Sequence, residues 1–148
     1  MRGNRLEADN NNALALEELM TKGVHDLTAD VDALASADKK SAYILLWNYY
    51  DDDLSAVPAK VNLQLHNIPA AIVNLQQYSI DNVNSNSYSL WKKMGSLKNV
   101  SKEQYTQLEK AGKLKQVNHQ QKVHVRKGLF SSVITLPRQA VSLIKINW

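Results

Sequence analysis

Cysteine is absent from all 148 residues. That excludes disulfides, thiolate-bound metals and cysteine nucleophiles. No stretch approaches the roughly 20 consecutive apolar residues of a membrane-spanning helix. No Gly-x-Ser-x-Gly run offers a serine nucleophile. Gly95-Ser96 lacks the companion glycines that let backbone N–H groups cradle a phosphate. Residues 1–12 hold no apolar core of a signal peptide, which leaves the compartment open, with the cytoplasm favoured. Length excludes more: a (β/α)8 barrel takes roughly 250 residues.

What is present suits one globular domain. The hydrophobic fraction of 44% supports a single core of moderate size. The net charge of +4 hides an asymmetry. Residues 1–60 hold 6 basic and 11 acidic side chains; residues 61–148 hold 12 and 3. The lysines are scattered, so the split reads as two halves facing each other or a further domain. Lys92, Lys93, Lys98, Lys102, Lys110, Lys113 and Lys115 read as a solvated helical face. Nucleic-acid binding is not expected, because arginine and a known binding module are missing.

The pattern of elements is mostly strand. Val31, Ala33 and Ala35 share one side of an alternating run from Asp30 to Ala37, and Asp38-Lys39-Lys40 makes a turn. Ser41–Tyr49 is an almost unbroken apolar run, expected to be a central strand buried on both faces. Val61, Leu63 and Leu65 alternate with polar residues, as in a half-buried strand, and Ile72–Ile80 is another. Asn84–Met94 reads as a helix stopped by Gly95. Ser101 and Gln104 form a capping box ahead of an apolar stripe of Tyr105, Leu108 and Ala111, with Gly112 as the expected C-cap. Leu129–Leu136 and Ala140–Ile146 close the chain as strands. Six or more strands with short turns and no βαβ rhythm predict a mainly β fold: an antiparallel β-sandwich with a two-helix insertion over 84–114. Residues 13–20 read as a short helix or an irregular connector that Gly23 would end.

Few residues suggest chemistry. Asp51-Asp52-Asp53 could ligate Ca²⁺ but lacks the EF-hand frame, and reads as a solvated loop capping a strand. Glycoside hydrolysis needs two carboxyls about 5–5.5 Å apart for retention, one with a raised pKa; no spacing here suggests such a pair. His25, His66, His119 and His124 form no zinc motif. No catalytic residue, metal or cofactor is expected. Trp47 and Trp91 read as core; Tyr50, beside the acidic loop, reads as the aromatic best placed for exposure, where it could stack on a sugar ring.

Three blocks stand in order: Trp47-Asn48-Tyr49-Tyr50-Asp51-Asp52-Asp53, then Tyr78 through Ile80-Asp81, Ser85-Asn86, Tyr88, Trp91 and Met94-Gly95, then Leu136-Pro137-Arg138-Gln139-Ala140-Val141-Ser142-Leu143. With the capping-box helix and the opening residues 1–8, they resemble the C-terminal part of β-xylosidases of glycoside hydrolase family 39. Tyr50 stands where that family has His, Ser79 where it has Arg, and Asn84 where it has His. The family's catalytic glutamates lie on barrel strands, so no position here inherits them. The resemblance implies a non-catalytic accessory domain whose partner is a family 39 barrel, with 1–29 as the connector from it. Met1 would then correspond to an internal methionine of a longer ancestor. The resemblance further implies an apolar face that meets the barrel and an unpaired sheet edge. It makes Tyr50, Asp51, Asp52, Asp81, Ser85, Asn86 and Tyr88 the candidates for the domain interface or for sugar contact. Two alternatives stay open: a carbohydrate-binding module for xylo-oligosaccharides, and a self-associating domain.

Overall fold

The computed structural model describes residues 2–10, 14–24, 30–52 and 57–148. Among the described residues, nine strands and three helices run in the order β1 (Asn4–Leu6), α1 (Leu16–Lys22), β2 (Asp30–Ala37), β3 (Ser41–Tyr49), β4 (Ala59–Leu65), β5 (Ile72–Ile80), α2 (Ser87–Lys93), α3 (Lys102–Gly112), β6 (Lys115–Gln116), β7 (Gln121–His124), β8 (Phe130–Leu136) and β9 (Ala140–Asn147). All pairings are antiparallel. A large sheet has the order β1-β2-β3-β9-β5-β6, and β7 pairs with the first half of β5. A small sheet, β4-β8, forms the second layer. The mainly β, antiparallel reading of the sequence holds, with α2 and α3 inserted between β5 and β6.

Period-two alternation decides which face is buried. On β3, Ala42, Ile44, Leu46 and Asn48 point inward and are buried; on β9, so are Ala140, Ser142, Ile144 and Ile146. Val73 and Leu75 of β5 join them, and β8 supplies Phe130, Ile134 and Leu136 from the facing layer. Each large apolar side chain among them, such as Ile44, Leu46 or Phe130, contributes roughly 1.5–3 kcal/mol by leaving water. The expectation that β3 is buried on both faces is corrected: Tyr43, Leu45 and Trp47 on its other side are only half-buried, and Tyr49 is exposed. The unbroken apolar run concealed an alternation between a covered face and a partly open one.

Two elements lie within the stretch read as a connector. Helix α1 ends at Gly23, whose N–H bonds the Leu19 carbonyl. Strand β1 pairs with the last residues of β2. Gly3, with φ +88°, makes that approach feasible, since a Cβ there would overlap the Ala37 carbonyl. The capping box at Ser101 and Gln104 is present, but α3 runs through Gly112 and its C-cap is Lys113, at φ −67°. Tyr105 of the expected apolar stripe is exposed, while Leu108 and Ala111 are half-buried.

Candidate functional site

Strand direction brings the three sequence blocks to one end of the large sheet. β9 runs antiparallel to both β3 and β5. The C-terminal ends of β3 and β5 therefore flank the start of β9, with Trp47 and Ile80 on either side of Val141.

The first and third blocks interlock there. Asn48, buried, donates from Nδ2 to the Leu136 and Pro137 carbonyls at 3.1 Å each. The turn 137–140 places Gln139 at φ +57°, and its Nε2 donates to the Tyr50 carbonyl at 2.6 Å and the Asp52 carbonyl at 3.1 Å. Arg138, only 7% exposed, pairs with Asp52 and lies over the Tyr50 ring. A buried guanidinium is tolerable only with such partners. The expected exposure of Tyr50 is corrected: it is 2% exposed. Continuing the inward parity of Asn48, it lies beneath Arg138, so its ring presents no open face to a sugar. Asp51 accepts from the Val24 N–H and from the Tyr49 hydroxyl, the latter at 2.8 Å. That hydrogen bond, aided by the carboxylate's charge, raises the Tyr49 pKa. Asp53 and His25 lie outside the described residues.

The second block is tied to itself. Asp81 Oδ1 accepts from the Val83 and Asn84 N–H groups at 2.8 and 2.7 Å, and Asn84 Nδ2 donates to both carboxylate oxygens. Ser85, at φ +54°, donates its hydroxyl to the Ser79 carbonyl at 2.7 Å and accepts from the Lys115 N–H at 2.8 Å. It thus bridges β5 to β6. Asn86 caps α2 by accepting from Ser89 N–H, which is why the helix starts at Ser87 and not at Asn84. Trp91 is half-buried and donates to the Leu97 carbonyl at 2.9 Å. Tyr88 is exposed, stacked at 5.7 Å on Trp91 and covered by the Lys92 ammonium. Of the seven candidates, Tyr50, Asp51 and Asp52 gather in one knot and Asp81, Ser85 and Asn86 in another. Tyr88 stands on the α2 surface.

Sequence reading missed a feature beside the first knot. A hollow of about 460 Å³ is lined by Asp30, Trp47, Asn48, Tyr49, Gln139, Ala140 and Val141. Cross-strand register makes it: Asp30 lies opposite Tyr49 and Asp32 opposite Trp47. Burial, then the neighbouring Asp32, raises the Asp30 pKa. The hollow opens on the face of the large sheet opposite the core. That face carries a row Leu34, Leu45, Leu143 and Tyr78 across four strands, with Trp47, Val141 and Ile80 in the next row. Leu34 is 39% and Ile80 47% exposed. Leu45, Leu143, Tyr78, Trp47 and Val141 are half-buried.

A second hollow, about 480 Å³, is lined by Arg5, Leu6, Glu7, Ala8, Asp32 and neighbours. It holds two carboxyls, but Glu7 is exposed and Asp32 accepts from the Ala33 N–H. Among the described residues no three His, Asp or Glu gather as a metal-ligand set, and no helix is long and apolar enough to cross a membrane.

No protein-family model matches the chain, and no curated protein matches it. Solved structures do. A GH39 enzyme from Xanthomonas axonopodis pv. citri superposes with a TM-score of 0.66 at 19% identity, over 78% of this chain and 25% of that one. A monomeric β-xylosidase from Caulobacter crescentus gives 0.59 at 17% identity, over 78% and 26%. A bacterial orthologue of human α-L-iduronidase gives 0.66 at 14% identity, over 80% and 22%. The chain spans about a quarter of the length of these structures. It therefore has the fold of one portion of GH39 enzymes, with most of their length unmatched.

Proposed function

We propose that this chain is a non-catalytic accessory sandwich of a β-xylosidase-like family 39 glycosidase, and that it docks on a catalytic barrel. The observation that carries the reading is the convergence of the three family-like blocks at one sheet end, beside a partly open apolar sheet face. The residues of those blocks are spent on structure: Asp81, Ser85 and Asn86 tie down a helix start, and Asp52 neutralises Arg138. A domain that supplies rigid scaffold and a docking face has that character. The fold match to a quarter of GH39 enzymes supports the same reading.

The test is turnover. The purified chain is incubated with an aryl β-xyloside, and no release of the aryl group above buffer is expected. Hydrolysis that disappears in Glu7→Gln or Asp32→Asn overturns the proposal, because those two carboxyls share a hollow.

A further inference from the structure

The geometry points to the hollow between Asp30, Trp47 and Tyr49 as the seat of an arginine side chain presented by a partner protein domain. The inference deepens the accessory-domain reading and rests on it for the partner, the catalytic barrel.

Register is the first ground. Asp30 and Asp32 project from β2 on the same face as Tyr49 and Trp47, each opposite one aromatic. Two aromatic side chains and a carboxylate thus line a single hollow, with Val141 completing it. Charge is the second ground. Among the described residues no Lys or Arg pairs with Asp30 or Asp32. Arg5 shares the neighbouring hollow with Asp32 without an ion pair. Lys145, on the same face, lies opposite Tyr43, at the other end of β3. Burial and the Asp32 charge already disfavour ionised Asp30, so an incoming cation relieves a standing repulsion.

The chemistry selects the occupant. A guanidinium is planar and weakly hydrated; it stacks on aromatic faces while forking onto a carboxylate. An ammonium is compact and strongly hydrated, and loses more on entering a mainly apolar hollow. A neutral sugar could stack on Trp47 but would leave the Asp30 carboxylate unneutralised. The apolar band of Leu34, Leu45 and Leu143 adjoins the hollow and would exclude water around the seated side chain, as the rim of an interface hot spot does.

N-acetyl-arginine amide serves as the probe, titrated into the full chain while the Trp47 indole N–H signal is followed by NMR. A saturable shift is expected, at least several-fold weaker with N-acetyl-lysine amide, and absent with xylotriose. Asp30→Asn weakens arginine binding about fivefold; Trp47→Leu, followed through the backbone amide of Val141, which also lines the hollow, is a second variant whose fold is checked by its amide spectrum. No saturable shift with the arginine probe, or a shift untouched by Asp30→Asn, overturns the inference. A shift with xylotriose and none with arginine also overturns it and makes the hollow a sugar site. These outcomes are independent of xyloside turnover, so failure here and failure of the accessory-domain reading are told apart.

Discussion

The guanidinium carbon of Arg138 lies 3.5 Å from the centre of the Tyr50 ring. The two residues come from blocks 88 positions apart in the sequence. Their stacking, with the Asp52 ion pair, locks the end of β3 to the turn that starts β9. Arg138→Ala removes a buried cation, uncovers the Tyr50 ring and leaves Asp52 without this partner. The expected cost is about 3 kcal/mol. Arg138→Lys keeps the charge but loses the planar fork, and falls between the two. Urea unfolding checks both.

Asp81→Ala should act locally. It strips the acceptor from two backbone N–H groups and from Asn84 Nδ2. The expected loss is about 1–3 kcal/mol. Amide hydrogen exchange should quicken across 81–94 while β3 and β9 stay protected. Uniform quickening of the whole chain would instead make this loop part of the global folding unit.

Asp30 gives a pH dependence with a definite sign. Its pKa is raised in the folded chain, so the folded state holds the proton more tightly than the unfolded one. Stability from this group is present below the ordinary value of 3.8 and is lost as pH rises through the raised value. Asp30→Asn should therefore be the more stable protein at neutral pH, with the gain vanishing below about pH 4. Solvent screening holds the gain to roughly 0.3 kcal/mol. Paired urea melts at both pH values measure it; a variant less stable at neutral pH contradicts the assignment.

Tyr49 and Asp51 offer a spectroscopic check. The Tyr49 hydroxyl donates to the Asp51 carboxylate, which holds the phenol's pKa above its usual 10.0. Asp51→Asn should bring ionisation of this tyrosine down toward that value in a UV-monitored titration.

The fold class was legible because period-two alternation, turn residues and a capping box are local signals. The start of α2 was not, because Asp81 and Ser85 divert the chain through a hydrogen-bonded knot that no propensity encodes. Tyr50 misled for a related reason. Its acidic neighbours suggested exposure, yet Tyr50 keeps the inward parity of β3, and Arg138 arrives from elsewhere in the sequence to cover it.

By itself, the sequence determined the antiparallel strands, the two inserted helices, the missing thiol chemistry and the three blocks that resemble one enzyme family. Only the tertiary structure decided that those blocks meet at one sheet end, that Asp30 stands across from Tyr49, and that an apolar face stays half-buried among the described residues. The physical reason is reach. Alternation and capping act within a few residues, whereas register, cation–π stacking and the neutralising of a buried charge join residues that the chain brings together only once it has folded.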